Sequence, residues 1–437
     1  MKYYSLNHKS EPVSFREATI LGQAPDKGLY FPEQIPRVNQ NLISNIHDFS
    51  NEEIAFSVMQ PYLGDEMPEE MLRKIVNETI DFPIPLIPVT GNIFSLELFH
   101  GPTLAFKDVG ARFMSRCLGY FAVKNAGKIT VLVATSGDTG GAVANGFYGV
   151  DGVEVVILYP AGKVSSVQEK QLTTLGKNIH ALEVSGTFDD CQHLVKQAFA
   201  DKDLTQTLSL TSANSINVAR WLPQQLYYFL AYKRWPVADQ APVFSVPSGN
   251  FGNICAGMLA SISGLPVKHF IAACNANDVV PNYLVDGQFI AKTAVQTISN
   301  AMDVANPSNF VRVMQLFDQN FFKLKEKLTA YSVSDGETRE AIKKVKIERG
   351  YLLDPHGAVG YISLDRYLES NPGLKGIFLE TAHPVKFLDV VEPITGEKIQ
   401  VPSTVASILP KQKNSHLMNA DYGELKEFLT QSDVFKN

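Results

Sequence analysis

The 437-residue sequence lacks the segments that would take a protein into or across a membrane. Its first residues, MKYYSLNHKSEPVSF, contain no apolar core of a secretory signal. No later stretch approaches the roughly 18 consecutive apolar residues of a transmembrane helix. The net charge is only -6, and lysine and arginine nowhere form a run. The sequence therefore predicts a cytoplasmic protein that binds neither membranes nor nucleic acid.

Cysteine is also scarce, and the common metal and nucleotide signatures are absent. The four cysteines are far apart and form no CxxC or Cys/His pattern: Cys117, Cys191, Cys255 and Cys274. We therefore expect buried free thiols and no metal site. No GxxxxGK sequence followed by Ser or Thr occurs, which excludes a P-loop.

The order of the predicted elements indicates an α/β protein with an added N-terminal part. Residues 1–85 combine proline-bearing polar stretches with helical segments, which predicts a mainly helical extension. The three prolines of DFPIPLIPV, at residues 81–89, favour an extended connector. Beyond it, short Val/Ile/Leu runs alternate with glycine-bearing loops and helical segments. This alternation is typical of parallel strands that are buried on both faces.

Lys107 lies at the centre of HGPTLAFKDVGARFMSRCL, residues 100–118. Apolar residues recur there at four-residue spacing, so we expect a helix that begins near Asp108, with Asp108 as its N-cap. Lys107 would lie just before this helix and beside Phe106, where burial and the helix dipole both disfavour an ammonium group. A lysine with a lowered pKa is suited to attack an aldehyde. A solvated lysine at a helix start is the alternative for this residue taken alone.

Two loops of small and hydroxylic residues each follow a predicted strand and precede a predicted helix. Their residues are Thr135, Ser136, Gly137, Asp138 and Thr139 in the first loop and Ser248, Gly249, Asn250, Phe251, Gly252 and Asn253 in the second. In this position the backbone N–H groups and the helix N-terminus favour an anion, usually a phosphate. Two such loops indicate a ligand with two anionic ends, although a tight turn without a ligand remains the alternative for each.

Other polar side chains follow further strands and can reach the same place. Lys163 and Ser165 lie in one loop, and Thr381 follows the strand GIFLE. A further group surrounds the start of a predicted helix: Asn214, Ser215, Asn217 and Arg220. Because the carboxyl ends of parallel strands meet at one edge of a sheet, these groups can converge on one ligand. Capping by Asn214 or Ser215 and solvation of Lys163 are the alternatives.

With these residues assembled, the chain resembles the threonine synthase family of fold-type II pyridoxal-phosphate enzymes. The resemblance extends over nearly the whole chain and rests on segments in the family's order: ELFHGPTLAFKD, TSGDTGGAVA, ILYPAGKVSSVQEK, SANSINVAR, VPSGNFGN, SNAMDVANPSN, DPHGAV and TAHPVKF. It implies a fold like that of tryptophan synthase β, with two open, mostly parallel α/β lobes. We place the lobes at residues 86–225 and 226–437, with segments exchanged between them. The extension at residues 1–85 matches the longer bacterial and fungal members.

The resemblance also implies roles for the candidate residues. Lys107 would form a Schiff base with pyridoxal 5'-phosphate, residues 248–253 would hold the cofactor phosphate, and Thr381 would bond the pyridine nitrogen. Related enzymes have an asparagine near the cofactor 3'-oxygen where this chain has Asp138, and two anionic oxygens there repel unless they share a proton. The substrate carboxylate is assigned to Thr135, Ser136, Gly137 and Thr139. The substrate phosphate is assigned to Lys163, Ser165, Asn214, Ser215, Asn217 and Arg220.

The implied reaction converts O-phospho-L-homoserine and water into L-threonine and phosphate. In it, the neutral amine of Lys107 would remove and return several protons. The nearest alternative is a phospholyase or dehydratase on the same scaffold that yields 2-oxobutanoate. Another is a non-catalytic pyridoxal-phosphate binding protein, which would need no amine at residue 107. The sequence leaves the oligomeric state open.

Overall fold

Two mainly parallel β-sheets form the frame of the protein in the computed structural model, which describes residues 1–125, 127–237, 239–431 and Phe435. The strands are β1 (Tyr3–Ser5), β2 (Tyr30–Pro32), β3 (Leu86–Pro88), β4 (Ile93–Glu97), β5 (Ile129–Ala134), β6 (Val153–Pro160), β7 (Ile179–Ser185), β8 (Ser209–Ser212), β9 (Val243–Pro247), β10 (His269–Cys274), β11 (Leu328–Ser332), β12 (Gly376–Glu380) and β13 (His416–Asn419). One sheet has the strand order β11-β10-β9-β12-β4-β3 and the other β13-β7-β6-β5-β8. The strands pair in parallel except for β3 with β4 and the separate pair of β1 with β2.

Helices surround both sheets. They are α1 (Phe15–Leu21), α2 (Gln40–Ser44), α3 (Asn51–Leu63), α4 (Glu69–Thr79), α5 (Lys107–Asn125), α6 (Asp138–Phe147), α7 (Ser166–Thr173), α8 (Phe188–Ala200), α9 (Lys202–Thr207), α10 (Val218–Trp221), α11 (Gln225–Lys233), α12 (Gly252–Ile262), α13 (Val279–Asp286), α14 (Phe310–Leu316), α15 (Phe321–Lys327), α16 (Asp335–Arg349), α17 (Pro355–Glu369), α18 (Leu388–Thr395), α19 (Ser403–Ala406) and α20 (Tyr422–Gln431). The predicted α/β class with parallel strands is confirmed.

The strand β5 shows why the apolar runs become buried strands. Every residue of ITVLVA is buried. Val131 and Val133 belong to the apolar cluster that contains the buried face of α5, whereas Leu132 and Ala134 belong to the cluster of α8 and α20. Because successive side chains point to opposite faces of the sheet, only an uninterrupted apolar run places apolar side chains in both clusters.

The two sheets exchange segments across the predicted lobe boundary at residue 225. Strands β5 to β8 precede this boundary and β9 to β12 follow it. However, β3 and β4 lie in the sheet of β9 to β12, because β4 pairs with β12. The late strand β13 lies in the other sheet, where it pairs with β7. Residues 86–97 therefore belong to the second lobe, although they precede residue 225. Residues 416–419 belong to the first lobe, although they follow it.

The N-terminal part packs onto the lobes as a helical layer with one small β-ribbon. Helix α4 packs against α5 and α3 packs against α11. The Phe15 ring lies 6.5 Å from the Phe113 ring and 6.3 Å from the Phe121 ring of α5, measured between centroids. The extension thus shares its apolar core with the helix that begins at Lys107.

Replacing Phe15 with alanine should lower the free energy of unfolding by about 3 to 5 kcal/mol, because it removes a fully buried ring and leaves a cavity. Chemical denaturation would measure the change. The matched control is Phe322→Ala, whose side chain is 75% exposed and whose removal should cost less than about 0.5 kcal/mol. Equal effects at the two positions would contradict a docked N-terminal extension.

Within the described ranges, no helix is long and apolar enough to span a bilayer. The same residues contain no group of three or more His, Cys, Asp or Glu side chains that could hold a metal ion. All four cysteines are buried and free, as expected.

Candidate active site

The loops after β5, β6, β8, β9 and β12 surround a cleft of about 370 Å3. The cleft lies at the carboxyl ends of these strands, which is where ligands bind in open α/β sheets. Most of the predicted site residues line it: Lys107, Thr135, Ser136, Asp138, Thr139, Lys163, Asn214, Ser215, Arg220, Gly249, Asn250, Phe251, Gly252, Asn253 and Thr381. Loops that are up to hundreds of residues apart in the chain thus meet at one place.

Lys107 is the first residue of α5, and the backbone before it is held at the end of β12. The Phe106 N–H donates to the Thr381 carbonyl oxygen at 2.8 Å. The Tyr227 hydroxyl donates to the Phe106 carbonyl oxygen. These bonds place Lys107 beside Thr381 at the wall of the cleft. The predicted start of a helix at this point is confirmed.

The environment of the Lys107 amine lowers its pKa. Its side chain is 18% exposed, and its Nζ lies 3.6 Å from Asp138 Oδ2. Burial lowers the pKa of Lys107, the Asp138 carboxylate opposes this, and the charges of Lys386 and Arg220 lower the pKa further. The net shift is downward, so the amine loses its proton more easily than an ordinary lysine.

Asp108 is not the N-cap that the sequence indicates. It lies in the first turn of α5, one residue inside the helix. Its carboxylate accepts hydrogen bonds from the Thr103 N–H, at 2.9 Å, and from the Thr103 hydroxyl. The Asp108 side chain therefore holds the turn at residues 101–104 in place in front of Lys107.

The loop at residues 248–253 ends at the N-terminus of α12. Phe251 precedes the helix in the left-handed region, with φ of 61°, and offers no side-chain acceptor to the helix. No hydrogen bond from the N-cap side chain therefore occupies the first N–H groups of α12. The first turn of α12 lines the cleft through Gly252 and Asn253. Its N–H groups and its dipole suit an anion such as a phosphate.

The loop at residues 135–139 is shaped by its own first side chain. The Thr135 hydroxyl accepts hydrogen bonds from the Gly137 N–H at 2.9 Å and from the Gly140 N–H at 2.8 Å. Ser136 and Thr139 line the cleft beside it. Thr135 therefore fixes the loop, and the neighbouring hydroxyl groups are the ones placed to meet a ligand.

Four predicted residues do not line the cleft. Ser165 caps α7 and Asn217 caps α10 through their side chains. The Ser248 hydroxyl donates to the Val246 carbonyl oxygen at 2.7 Å, and Gly137 lies behind the loop as the N-cap of α6. The side chains of Ser165, Asn217 and Ser248 thus bond to nearby backbone groups and do not reach the cleft. Ser165 and Asn217 were open to both interpretations because helix caps and anion sites use the same small polar residue types.

Sequence reasoning missed the partners of Asp138. The Lys386 ammonium lies 2.7 Å from Asp138 Oδ1, and the Gln168 amide donates to the same oxygen at 3.0 Å. Burial alone would raise the pKa of Asp138, but the charges of Lys386 and Lys107 and the hydrogen bonds from Lys386 and Gln168 lower it well below its ordinary value. The only signal in the sequence was the position of Lys386 in the segment TAHPVKF, just after β12.

Sequence reasoning also missed the segment at residues 300–304, which lies against the loop at residues 248–253. Residues 300–304 line the cleft. The Ala301 N–H donates to His356 Nε2 at 3.1 Å, and His356 Nδ1 lies 2.6 Å from Asp354 Oδ1. Because Nε2 accepts a hydrogen bond, the ring proton is on Nδ1 and is shared with Asp354. His356 thus positions this segment next to Gly249.

Comparisons with known proteins agree with this geometry. A family model described as "Pyridoxal-phosphate dependent enzyme" matches residues 83–375. Models described as "Threonine synthase N terminus" and "Threonine synthase, C-terminal" match residues 2–80 and 357–429. Together they cover the N-terminal extension and both lobes.

Relatives that match over the full length of the chain identify its family. The threonine synthase of Haemophilus influenzae is 46% identical over 433 residues, which cover 99% of this chain and 100% of that protein. The chain belongs to the threonine synthase family. The crystal structure of threonine synthase from Escherichia coli has a TM-score of 0.92 and 45% identity, and covers 99% of this chain and 100% of that one. A PLP-bound threonine synthase from Brucella melitensis has a TM-score of 0.91 and 35% identity, over 98% of each chain.

The cleft fits pyridoxal 5'-phosphate, the cofactor of this threonine synthase family. A lysine amine with a lowered pKa suits its aldehyde, and the first turn of α12 suits its phosphate. Arg220 lines the cleft, and its Nε is buried without a hydrogen-bond partner among the described residues. A further anionic group can satisfy this donor.

Proposed function

We propose that this protein makes L-threonine and phosphate from O-phospho-L-homoserine and water, with pyridoxal 5'-phosphate as cofactor. The observation that carries the proposal is that Lys107 shares one cleft with the uncapped start of α12 and with the hydroxyl groups at residues 135–139. This arrangement provides one amine and two separate anion sites. A phosphorylated amino acid bound to a phosphorylated cofactor needs these and a third anion site for its own phosphate, which Lys163 and Arg220 on the cleft wall would supply.

Lys107 would hold the cofactor covalently through its amine and later act as the general acid and base. When bound, pyridoxal phosphate supplies an electron sink that makes protons on the substrate carbon chain removable. The Lys107 amine, with its lowered pKa, would take a proton from Cα and another from Cβ, and would return protons later. Its position in the same cleft as Thr381 would hold the amine near the bound cofactor and substrate.

The loops of the cleft would orient the cofactor and the substrate. Residues 249–253 would hold the cofactor phosphate, and Thr381 would meet the pyridine nitrogen as a neutral hydroxyl group. Ser136 and Thr139 would bind the substrate carboxylate. The substrate phosphate would be bound by further cationic and polar groups that line the cleft: Lys163, Asn214, Ser215 and Arg220.

Analysis of the products tests this proposal. Incubation of the cofactor-loaded protein with O-phospho-L-homoserine should yield threonine and phosphate in equal amounts. The reason is that phosphate leaves once for each water added. Amino-acid chromatography and a phosphate assay on the same sample would measure the ratio.

The same sample separates the alternatives. Phosphate with 2-oxobutanoate and ammonia, but without threonine, would show a phospholyase. Cofactor binding without release of phosphate would show a non-catalytic binding protein. Either result would overturn the proposed function.

A further inference from the structure

The two oxygens of the Asp138 carboxylate have different partners. Oδ1 receives the Lys386 ammonium at 2.7 Å and the Gln168 amide at 3.0 Å. Oδ2 faces the Lys107 amine at 3.6 Å. The first two side chains therefore fix the rotation of the carboxylate, and that rotation directs the other oxygen at Lys107.

Lys386 is held so firmly that it cannot turn toward solvent. Its side chain is fully buried, and its Nζ also donates to the Thr103 carbonyl oxygen at 2.9 Å. The Thr103 N–H is in turn bonded to Asp108. Burying an ammonium group is costly unless a carboxylate and hydrogen bonds compensate it, so this lysine depends on Asp138 as much as Asp138 depends on it.

The ion pair of Lys386 with Asp138 sets the charge that Lys107 experiences. Without Lys386, the Asp138 carboxylate would keep Lys107 as its ammonium partner. With Lys386 present, the carboxylate is already neutralised, and Lys107 can lose its proton. Three further titratable groups interact electrostatically with one of these lysines: Asp108 and His383 with Lys386, and Arg220 with Lys107.

We propose that Lys386 is a positioning residue of the active site, which holds Asp138 ionised and turned toward Lys107 while cancelling its charge. The proposal rests on the proposed role of Lys107 as the residue that carries the cofactor. It gives this chain a second essential lysine, which acts through Asp138 and not on the substrate. It also removes the repulsion that an aspartate would otherwise bring to an anionic oxygen of the cofactor.

A charge cycle on the cofactor-loaded protein tests the proposal. Lys386→Met leaves one negative charge near Lys107, Asp138→Asn leaves one positive charge, and the double variant leaves none. The visible absorbance of the cofactor bound to Lys107 is followed against pH. The pH at the midpoint of this titration should rise by about one pH unit in Lys386→Met and fall in Asp138→Asn. The reason is that a negative neighbour favours the protonated form and a positive one disfavours it.

The double variant decides whether the two residues act together. Its midpoint should return to that of the wild type, and its kcat should be no lower than that of Asp138→Asn alone. Lys386→Met on its own should lower kcat about 10-fold, because a rise of about one unit in the pKa of Lys107 leaves about a tenth as much of the neutral amine. The matched control is Lys398→Met, which removes an exposed lysine paired with Glu392 at 2.6 Å and should change neither value.

Several results would overturn the proposal. Unchanged midpoints in both single variants would show a purely structural lysine. A double variant that is much slower than Asp138→Asn would show a role for Lys386 that does not pass through Asp138. If Lys386→Met does not fold, the neutral double variant should still fold, and failure of both would also count against the pairing.

Thermal unfolding separates this proposal from the proposed function. Lys386→Met should unfold at a lower temperature than the double variant, whether or not cofactor binds. Equal unfolding temperatures would overturn the ion pair itself. A wild-type protein that develops no visible absorbance with the cofactor would overturn the role of Lys107 and the proposed function instead.

Discussion

Replacing Lys107 with alanine should abolish threonine formation, with kcat falling by about 10,000-fold or more, the upper end of what one acid-base group contributes. Lys107 lines the cleft beside Thr381, and its pKa is lowered by burial and by the charges of Lys386 and Arg220 against the pull of Asp138. The variant should also lose the visible absorbance of the lysine-bound cofactor. Threonine release and an absorbance spectrum on one preparation measure both effects.

The matched control for this variant is Lys323→Ala. Lys323 is 57% exposed and pairs with Asp318 at 2.7 Å. Because surface ion pairs contribute little, its removal should leave both turnover and absorbance unchanged. Threonine formation at wild-type rate in Lys107→Ala would refute the assignment of the lysine, whereas a loss in both variants would indicate a general effect on folding.

Replacing Gly249 with valine should weaken cofactor binding about 100-fold, the equivalent of losing one or two hydrogen bonds to a charged group. A Cβ atom at residue 249 would lie 2.9 Å from the Met302 Cα and 3.0 Å from the Ala301 carbonyl oxygen. Both contacts are with backbone, so residues 300–304 and the loop at residues 248–253 must move apart. The first turn of α12 would then no longer meet the cofactor phosphate.

Equilibrium titration of the cofactor-free protein with pyridoxal phosphate measures this effect. Gly336→Val is the matched control, since the nearest atom to its added Cβ is the Ser334 hydroxyl oxygen at 3.9 Å. We expect the control to bind cofactor as the wild type does. Equal affinities of Gly249→Val and wild type would show that this loop does not hold the phosphate.

The parts of the site that could be predicted from the sequence are those set by local pattern. A strand, a glycine-bearing loop and a helix follow one another within about 25 residues, so the loops at residues 135–139 and 248–253 were recognisable one at a time. Lys107 was recognisable because apolar spacing marked the start of α5. The sequence pattern located Asp108 correctly near the start of α5. Its carboxylate, however, accepts hydrogen bonds from Thr103, which precedes the helix, and does not cap the helix N-terminus.

The parts that could not be predicted depend on contacts between distant residues. Lys386 and Gln168 reach Asp138 from positions far along the chain, and no periodicity signals such a contact. The pairing of β4 with β12 and of β7 with β13 is equally nonlocal. Ser165 and Asn217 were assigned to the ligand because a capping side chain and a phosphate-binding side chain look the same in sequence.

The exchange of strands between the two sheets has a consequence for how the protein is made. Strand β4 emerges from the ribosome long before its partner β12, and β7 presents an unpaired edge until β13 has been synthesised. Neither lobe can therefore complete its sheet while the chain is still short, and any lobe that folds during translation does so with one of its strands missing or waiting for a partner. The nascent chain must keep two open strand edges from associating with other molecules until residue 419 has left the exit tunnel.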